Sequence, residues 1–120
     1  MKISSYKELE AYKKSYELVK LVYEFTKAFP KEETYGLTAQ IRRASVSIPS
    51  NIAEGYMRGS KEYVHHLRIA LGSCAELETQ ISLSRDLCFC GSEEANQAIN
   101  LNTETMKLLT TYINRIGSRF

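Results

Sequence analysis

Apolar residues recur along this chain at steps of three and four, in four successive stretches. That spacing gathers them on one side of a helix, whereas a half-buried strand would alternate at every second position. The third stretch is the cleanest: Tyr63, Leu67, Ala70, Cys74, Leu77, Ile81, Ser84 and Cys88 alternate steps of four and three, the seam of a coiled-coil-like helix. The fourth repeats it with Ala95, Ile99, Asn102, Met106, Leu109, Ile113 and Ile116, beside a second stripe of Leu101, Leu108 and Tyr112. In the first, Leu9, Tyr12, Tyr16, Val19 and Tyr23 run next to Leu18, Val22, Phe25 and Phe29, so the apolar arc is wide. The second carries Leu37, Ile41, Ala44, Ile48, Ile52 and Tyr56, and crosses Pro49 without losing phase.

Punctuation between the stretches fits helix ends. Ser5-Tyr6-Lys7-Glu8 reads as a capping box opening the first helix, and Phe29-Pro30 closes it, because a residue before proline is pushed out of the helical region. A second helix is expected from about Thr34. Pro49 removes one backbone bond and crowds the carbonyl four residues earlier, which predicts a kink, or else two helices meeting there. Gly55 and Gly59 loosen the end of this element, and Ser60 is the expected N-cap of the third. Cys90-Gly91-Ser92 makes the last turn, with Glu93 and Glu94 where the helix dipole favours anions and Gly117 as the stop. Short connections force neighbours to run antiparallel. The expectation is an all-α, up-down-up-down four-helix bundle over residues 1–120, one domain, with a proline kink in its second helix. The wide stripes on the first and last helices predict a homo-oligomer, since monomers rarely expose large apolar patches.

The 120 residues suffice for one core, and 43% hydrophobic with 25% charged residues is ordinary for a globular domain. No run of about 18 apolar residues is present to span a membrane, and the N-terminal stretch lacks the apolar centre of a signal peptide. Three cysteines without CxxC spacing read as free thiols of a reducing compartment, and the expected location is the cytoplasm. The net charge of +2 is small, but residues 42–68 carry a local excess of three positive charges and residues 76–104 an excess of five negative ones. Such asymmetry suits a partner, or contacts between subunits.

Candidate chemistry follows from those charges. Arg42, Arg43, Arg58, Lys61, His65 and Arg68, with Tyr56 and Tyr63 among them, can meet phosphates through the cations and bases through the rings. The plainer alternative is a solvated or subunit-pairing basic face with the aromatics turned inward. Arg43, Ser47, Asn51, Glu54 and Arg58 share one side of the second helix, a polar seam with Glu78 as the expected partner of Arg42 or Arg43. Glu62 and His66 stand four apart, but two ligands make no metal site, and no HExxH is present. Neither a cysteine-base signature nor a phosphate loop is found, so no enzyme and no cofactor are expected.

The stretch Tyr35-Gly36-Leu37-Thr38-Ala39-Gln40-Ile41-Arg42-Arg43-Ala44-Ser45-Val46-Ser47-Ile48-Pro49-Ser50-Asn51-Ile52-Ala53-Glu54-Gly55, followed by Leu67-Arg68-Ile69-Ala70-Leu71-Gly72-Ser73-Cys74-Ala75-Glu76-Leu77-Glu78-Thr79-Gln80, closely resembles the bacterial four-helix-bundle family named for intervening sequences of 23S rRNA genes. Tyr6-Lys7-Glu8-Leu9-Glu10 and Phe29-Pro30-Lys31-Glu32-Glu33 are similar too, and the match weakens only in the last helix. The resemblance implies a ring-like homopentamer and a fold similar to accessory proteins of diversity-generating retroelements, which bind nucleic acid and a reverse transcriptase. Members are described as ribosome-associated from the location of their gene. The expected function is a non-enzymatic oligomeric scaffold associated with RNA or another nucleic acid. The alternative is a protein-only assembly module.

Overall fold

The computed structural model describes residues 5–117, which fold into four long helices with no strand among them. They are α1 (Glu10–Thr26), α2 (Leu37–Arg58), α3 (Ser60–Asp86) and α4 (Ser92–Gly117). Each helix lies closest to two others, α1 to α2 and α4, and α3 to α2 and α4, with the diagonal pairs α1–α3 and α2–α4 further apart. One apolar core runs between them, with Leu18, Ile41, Ile48, Ile52, Leu67, Leu77, Ile81 and Leu109 fully enclosed.

The start of the chain departs from expectation. Ser5 does accept a hydrogen bond from the Lys7 amide at 3.2 Å, but it caps a short 3-10 turn, Tyr6–Glu8, and not α1. Leu9 is extended and buried, and α1 begins after it. The break lets Tyr6 fold back, its ring edge-on to Tyr12 at 5.1 Å and to Tyr56 at 6.3 Å. Within α1 the enclosed stripe is Ala11, Ser15, Leu18, Val22 and Phe25, continued by Phe29 beyond the helix. The tyrosine stripe sits one position round, Tyr16 at 51% exposure and Tyr23 at 40%. Ala11 and Ser15 are small enough for close helix approach, while a phenol keeps its hydroxyl wet. The Tyr112 hydroxyl lies 3.5 Å from the Ala11 amide, which in the first turn of α1 has no partner within the helix.

A 3-10 turn at Lys31–Glu33 precedes α2. The Glu33 carboxylate accepts from the Leu37 amide at 3.1 Å, so an anion caps the positive end of α2, a few residues later than the start expected at Thr34. Pro49 lies inside α2 and is buried. The link to α3 is Gly59 alone, at φ 103°, a conformation side chains with a Cβ avoid. It occupies the capping position expected for Ser60.

The α3 seam buries Leu67, Ala70, Cys74, Leu77, Ile81 and Ser84, with Tyr63 half-buried, but it stops short of Cys88. Cys88 is exposed at φ 62°, and the Phe89 amide reaches back to the Ser84 carbonyl at 2.9 Å. That is a left-handed helix stop of the kind usually given to glycine. Its turn places Phe89 5.8 Å from Phe29. In α4 the deepest line is Ala95, Ala98, Asn102, Thr105, Leu109 and Ile113, with Ile99, Met106 and Ile116 only half-enclosed. Asn102 is fully buried and donates to the Cys74 carbonyl at 2.8 Å, its own oxygen lacking a partner among the described residues. A polar group there ties one level of α4 to one level of α3, since sliding either helix would leave the amide unbonded in the core.

Packing of α2 on α3 is tightest at Gly55, where an added Cβ would stand 2.6 Å from the His66 Cβ and 3.2 Å from the Tyr63 Cα. Gly55→Ala is therefore expected to lower stability by about 1–3 kcal/mol. Gly72→Ala, at a helix position with open space around it, is expected to raise stability by up to about 1 kcal/mol. Urea midpoints of the two variants should move in opposite directions from wild type.

Candidate nucleic-acid interface

Because Gly59 turns the chain in a single residue, the last turn of α2 and the first turns of α3 lie side by side. Lys61, His65 and Arg68, at steps of four and three on the outer side of α3, line one open cleft with Glu62, Val64 and Gly117, of about 780 Å³. Arg58 stands at the end of α2, its guanidinium 2.8 Å from the Glu54 carboxylate. Both partners are half-exposed, so water and salt compete for the pair and it contributes little to stability.

The other two cations are elsewhere. Arg42 faces α1, donating through Nε to the Thr26 hydroxyl at 3.0 Å with its guanidinium 4.6 Å over the Tyr23 ring. Arg43 faces a polar cleft of about 480 Å³ between α2 and α3, with Gln40, Ser47, Ser73, Glu76 and Gln80. Neither arginine meets Glu78, which lies in a groove between α3 and α4 with Thr103, Met106 and Lys107. The pair expected from sequence is not formed, because Glu78 turns toward α4. Tyr56 and Tyr63 also differ from exposed stacking platforms. They are half-buried and meet edge to face at 5.8 Å, with Tyr63 packed against the core. Burial, with smaller effects of Tyr112 and Tyr56, pushes the Tyr63 hydroxyl well above its ordinary value.

Beneath the basic edge runs a line of polar groups joining α2 to α3. Asn51 donates to the Ser47 carbonyl at 2.8 Å and to its hydroxyl at 3.0 Å, and Ser73 donates to the same hydroxyl at 3.0 Å. The Asn51 oxygen lies 2.9 Å from His66 Nδ1, and His66 Nε2 lies 3.9 Å from Glu54. Thus Ser47, Asn51 and Glu54 of the expected seam are brought together; Arg43 opens into the adjacent cleft and Glu78 is not among them. His66 and Ser73, which complete the line, could not be found by scanning one helix, since the partners sit 15 and 26 residues apart. His66 stands one position before the α3 seam and is 8% exposed, a burial that the helical period does not announce.

Among the described residues no group of three or more His, Cys, Asp or Glu side chains is arranged to hold a metal, and no helix is long and apolar enough to cross a membrane. Burial pushes the Cys74 thiol up to about 12, and burial with Glu94 raises that of Cys90 against a lowering by Arg85, so both are held neutral at ordinary pH. On the far side, between α1 and α2, an apolar groove of about 410 Å³ is lined by Tyr12, Tyr16, Val19, Val46, Pro49 and Ala53.

The family model described as 23S rRNA-intervening sequence protein matches residues 7–111 of this chain. The crystal structure of a protein with unknown function from the S23 ribosomal protein family of Bacteroides thetaiotaomicron VPI-5482 is similar at 27% identity and a TM-score of 0.79, covering 86% of this chain and 97% of that one. No curated protein matches.

Unfolding frees the Cys74 thiol to ionise near its usual value of 9.0, while the fold holds it protonated to about 12. Stability from this group is therefore intact below about pH 9 and is lost as pH rises toward 12, at up to about 1.4 kcal/mol per pH unit. Chemical denaturation at stepped alkaline pH should show this slope, shallower in Cys74→Val; parallel profiles for the two proteins would contradict the assignment.

Proposed function

We propose that this chain, which belongs to the 23S rRNA-intervening sequence protein family, is a non-enzymatic helical-bundle protein of the cytoplasm that assembles with copies of itself and associates with RNA. The observation that supports the RNA reading most directly is the clustering of Lys61, His65 and Arg68 on one open cleft, with Arg58 across the Gly59 turn. Cations gathered at one edge neutralise successive phosphates and release their counterions. Half-burial of Tyr56 and Tyr63 favours backbone contacts over base stacking, hence little sequence preference. Arg42 and Arg43 take no part in this edge on the proposed reading, since they face α1 and the α2–α3 cleft.

Self-association is favoured by the outer side of α1 and α2. Tyr16, Tyr23, Val46 and Met57 are exposed, and the groove between the helices is mainly apolar. A ring-like pentamer is the assembly the family resemblance implies. The same groove favours, as the second reading, an assembly module that binds protein alone. The finer architecture belongs to this proposal as well: one antiparallel bundle forming a single domain, with α2 bent where Pro49 crowds the Ser45 carbonyl. Cross-helix pairs support the antiparallel order, because partners descend as the chain ascends: Ser47 with Ser73 and Asn51 with His66, Cys74 with Asn102 and Arg85 with Asn96.

Two measurements test the reading. Arg58→Glu/Lys61→Glu is expected to weaken binding of a labelled mixed-sequence RNA at least about tenfold and to lower the slope of log affinity against log salt by about two; equal affinities would remove the edge from consideration. Light scattering at micromolar protein should give a multiple of 13.7 kDa, reduced by Val46→Asp in the apolar groove. A wild-type mass of one chain would end the assembly claim and leave the groove unexplained.

A further inference from the structure

The polar line beneath the basic edge fixes a histidine tautomer. Asn51 Nδ2 is 2.8 Å from the Ser47 carbonyl oxygen, which can only accept, so that end of the amide is the nitrogen and the oxygen faces His66 Nδ1 at 2.9 Å. An amide oxygen also only accepts, so Nδ1 carries the ring's hydrogen. In the neutral ring Nε2 is then a bare lone pair, and it faces Glu54 Oε2 at 3.9 Å. Two acceptors make no bond. That same Oε2 is the atom Arg58 holds at 2.8 Å. The ring has little room to turn elsewhere, since it is 8% exposed and its Cβ is seated on the backbone of α2 at Gly55.

A proton added at Nε2 would face the Glu54 carboxylate. We infer that His66 is a proton-operated positioning residue for the RNA edge: when it charges, it draws the Glu54 carboxylate toward itself and releases Arg58 to meet phosphate. The inference rests on the reading of that edge given above. Acid then adds one positive charge to the edge and loosens the anion that had masked another. The charged groups around the ring are Glu54 and Arg58 on α2 and, on its own helix, Glu62 one turn back and His65, whose ring is 5.5 Å away. On α4 the titratable side chain facing this end of α3 is Tyr112, which acts on Tyr63, with Arg115 in the last turn; the α1 backbone stands further from α3 than do α2 and α4. Glu54 lies 3.9 Å from Nε2, and the same oxygen is held by Arg58 of α2.

The test separates the switch from the RNA reading. Long-range proton–nitrogen NMR correlations of the His66 ring should show the Nδ1–H tautomer while the ring is neutral, and a second ring proton, on Nε2, on descent into acid. The Glu54 carboxyl carbon and the Arg58 side-chain nitrogens should move with the same midpoint, and Glu54→Gln, at an exposed position that folding tolerates, should abolish the Arg58 response. For binding, His65→Gln removes the exposed neighbour. In that background, affinity for a fluorescein-labelled mixed-sequence RNA should rise about three- to fivefold over the same descent, the size of one exposed charge contact. The salt slope should steepen by about 0.7, and both changes should vanish with added Glu54→Gln or His66→Gln. An Nε2–H tautomer at high pH, or Arg58 resonances that ignore His66, would overturn the switch whatever the RNA does. Flat affinity with concerted His66 and Arg58 titration would overturn its control of binding. Concerted titration with no RNA bound at any pH would uphold the switch and sink the RNA reading instead.

Discussion

The close approach of α2 to α3 governs most of what this molecule presents to its surroundings. It is possible only because Gly55 offers no side chain to His66, and because Gly59 reverses the chain in one residue. Helices brought this near at Gly55 resolve the polar groups between them largely against each other. Hence the line from Ser73 through Ser47 and Asn51 to His66. A bulkier residue at Gly55 would push the helices apart, and with them the hydrogen bonds that orient the imidazole. Core packing and the orientation of a surface carboxylate are thus one problem at this end of the molecule.

Asn102 poses the same problem at the opposite contact of α3. There the solution is incomplete, since the amide nitrogen is bonded to the Cys74 carbonyl and the oxygen has no partner among the described residues. A buried amide with an unmet acceptor costs stability relative to a leucine of similar size, yet it penalises every shifted register more heavily. Long seams of small and aliphatic residues are prone to slip by a turn, and α4 has Ala95, Ala98 and Thr105 on its deepest line. One polar residue placed mid-seam removes that freedom.

How far the residues alone disclosed this structure depended on whether a feature lay within one helix or between two. The α3 seam from Leu67 to Ile81 and the α2 seam from Ile41 to Ile52 were legible, because their periodicity counts residues that are apolar throughout. The face of α1 was legible in part: the stripe of Leu18, Val22, Phe25 and Phe29 is enclosed, but tyrosine scores as apolar while its hydroxyl seeks water, so periodicity groups Tyr16 and Tyr23 with the core ahead of the enclosed Ala11 and Ser15. Cys88 was placed in the seam by phase, although a left-handed stop had already ended the helix. Lys61, His65 and Arg68 could be grouped from spacing, being on one helix, whereas the position of Glu78 and the pairing of Asn51 with His66 depend on which helices adjoin and at what level. Local chemistry does not encode that level.

The two surfaces on which the proposed function rests lie on different helix pairs. The apolar groove belongs to α1 and α2, and the cationic cleft to α3 and the end of α4, which is the opposite side of a ring of four helices. A neighbouring copy seated on the groove would leave the cleft open, so assembly and phosphate binding need not compete for area. Repeating the chain would instead multiply clefts, and several weak backbone contacts on one particle reinforce each other through effective concentration. On that view a modest net charge per chain is no obstacle to holding a polyanion. What matters on the proposed reading is that each copy keeps its few cations unmasked at one edge, and the Glu54 carboxylate, between Arg58 and His66, is the group proposed to set how far Arg58 is unmasked.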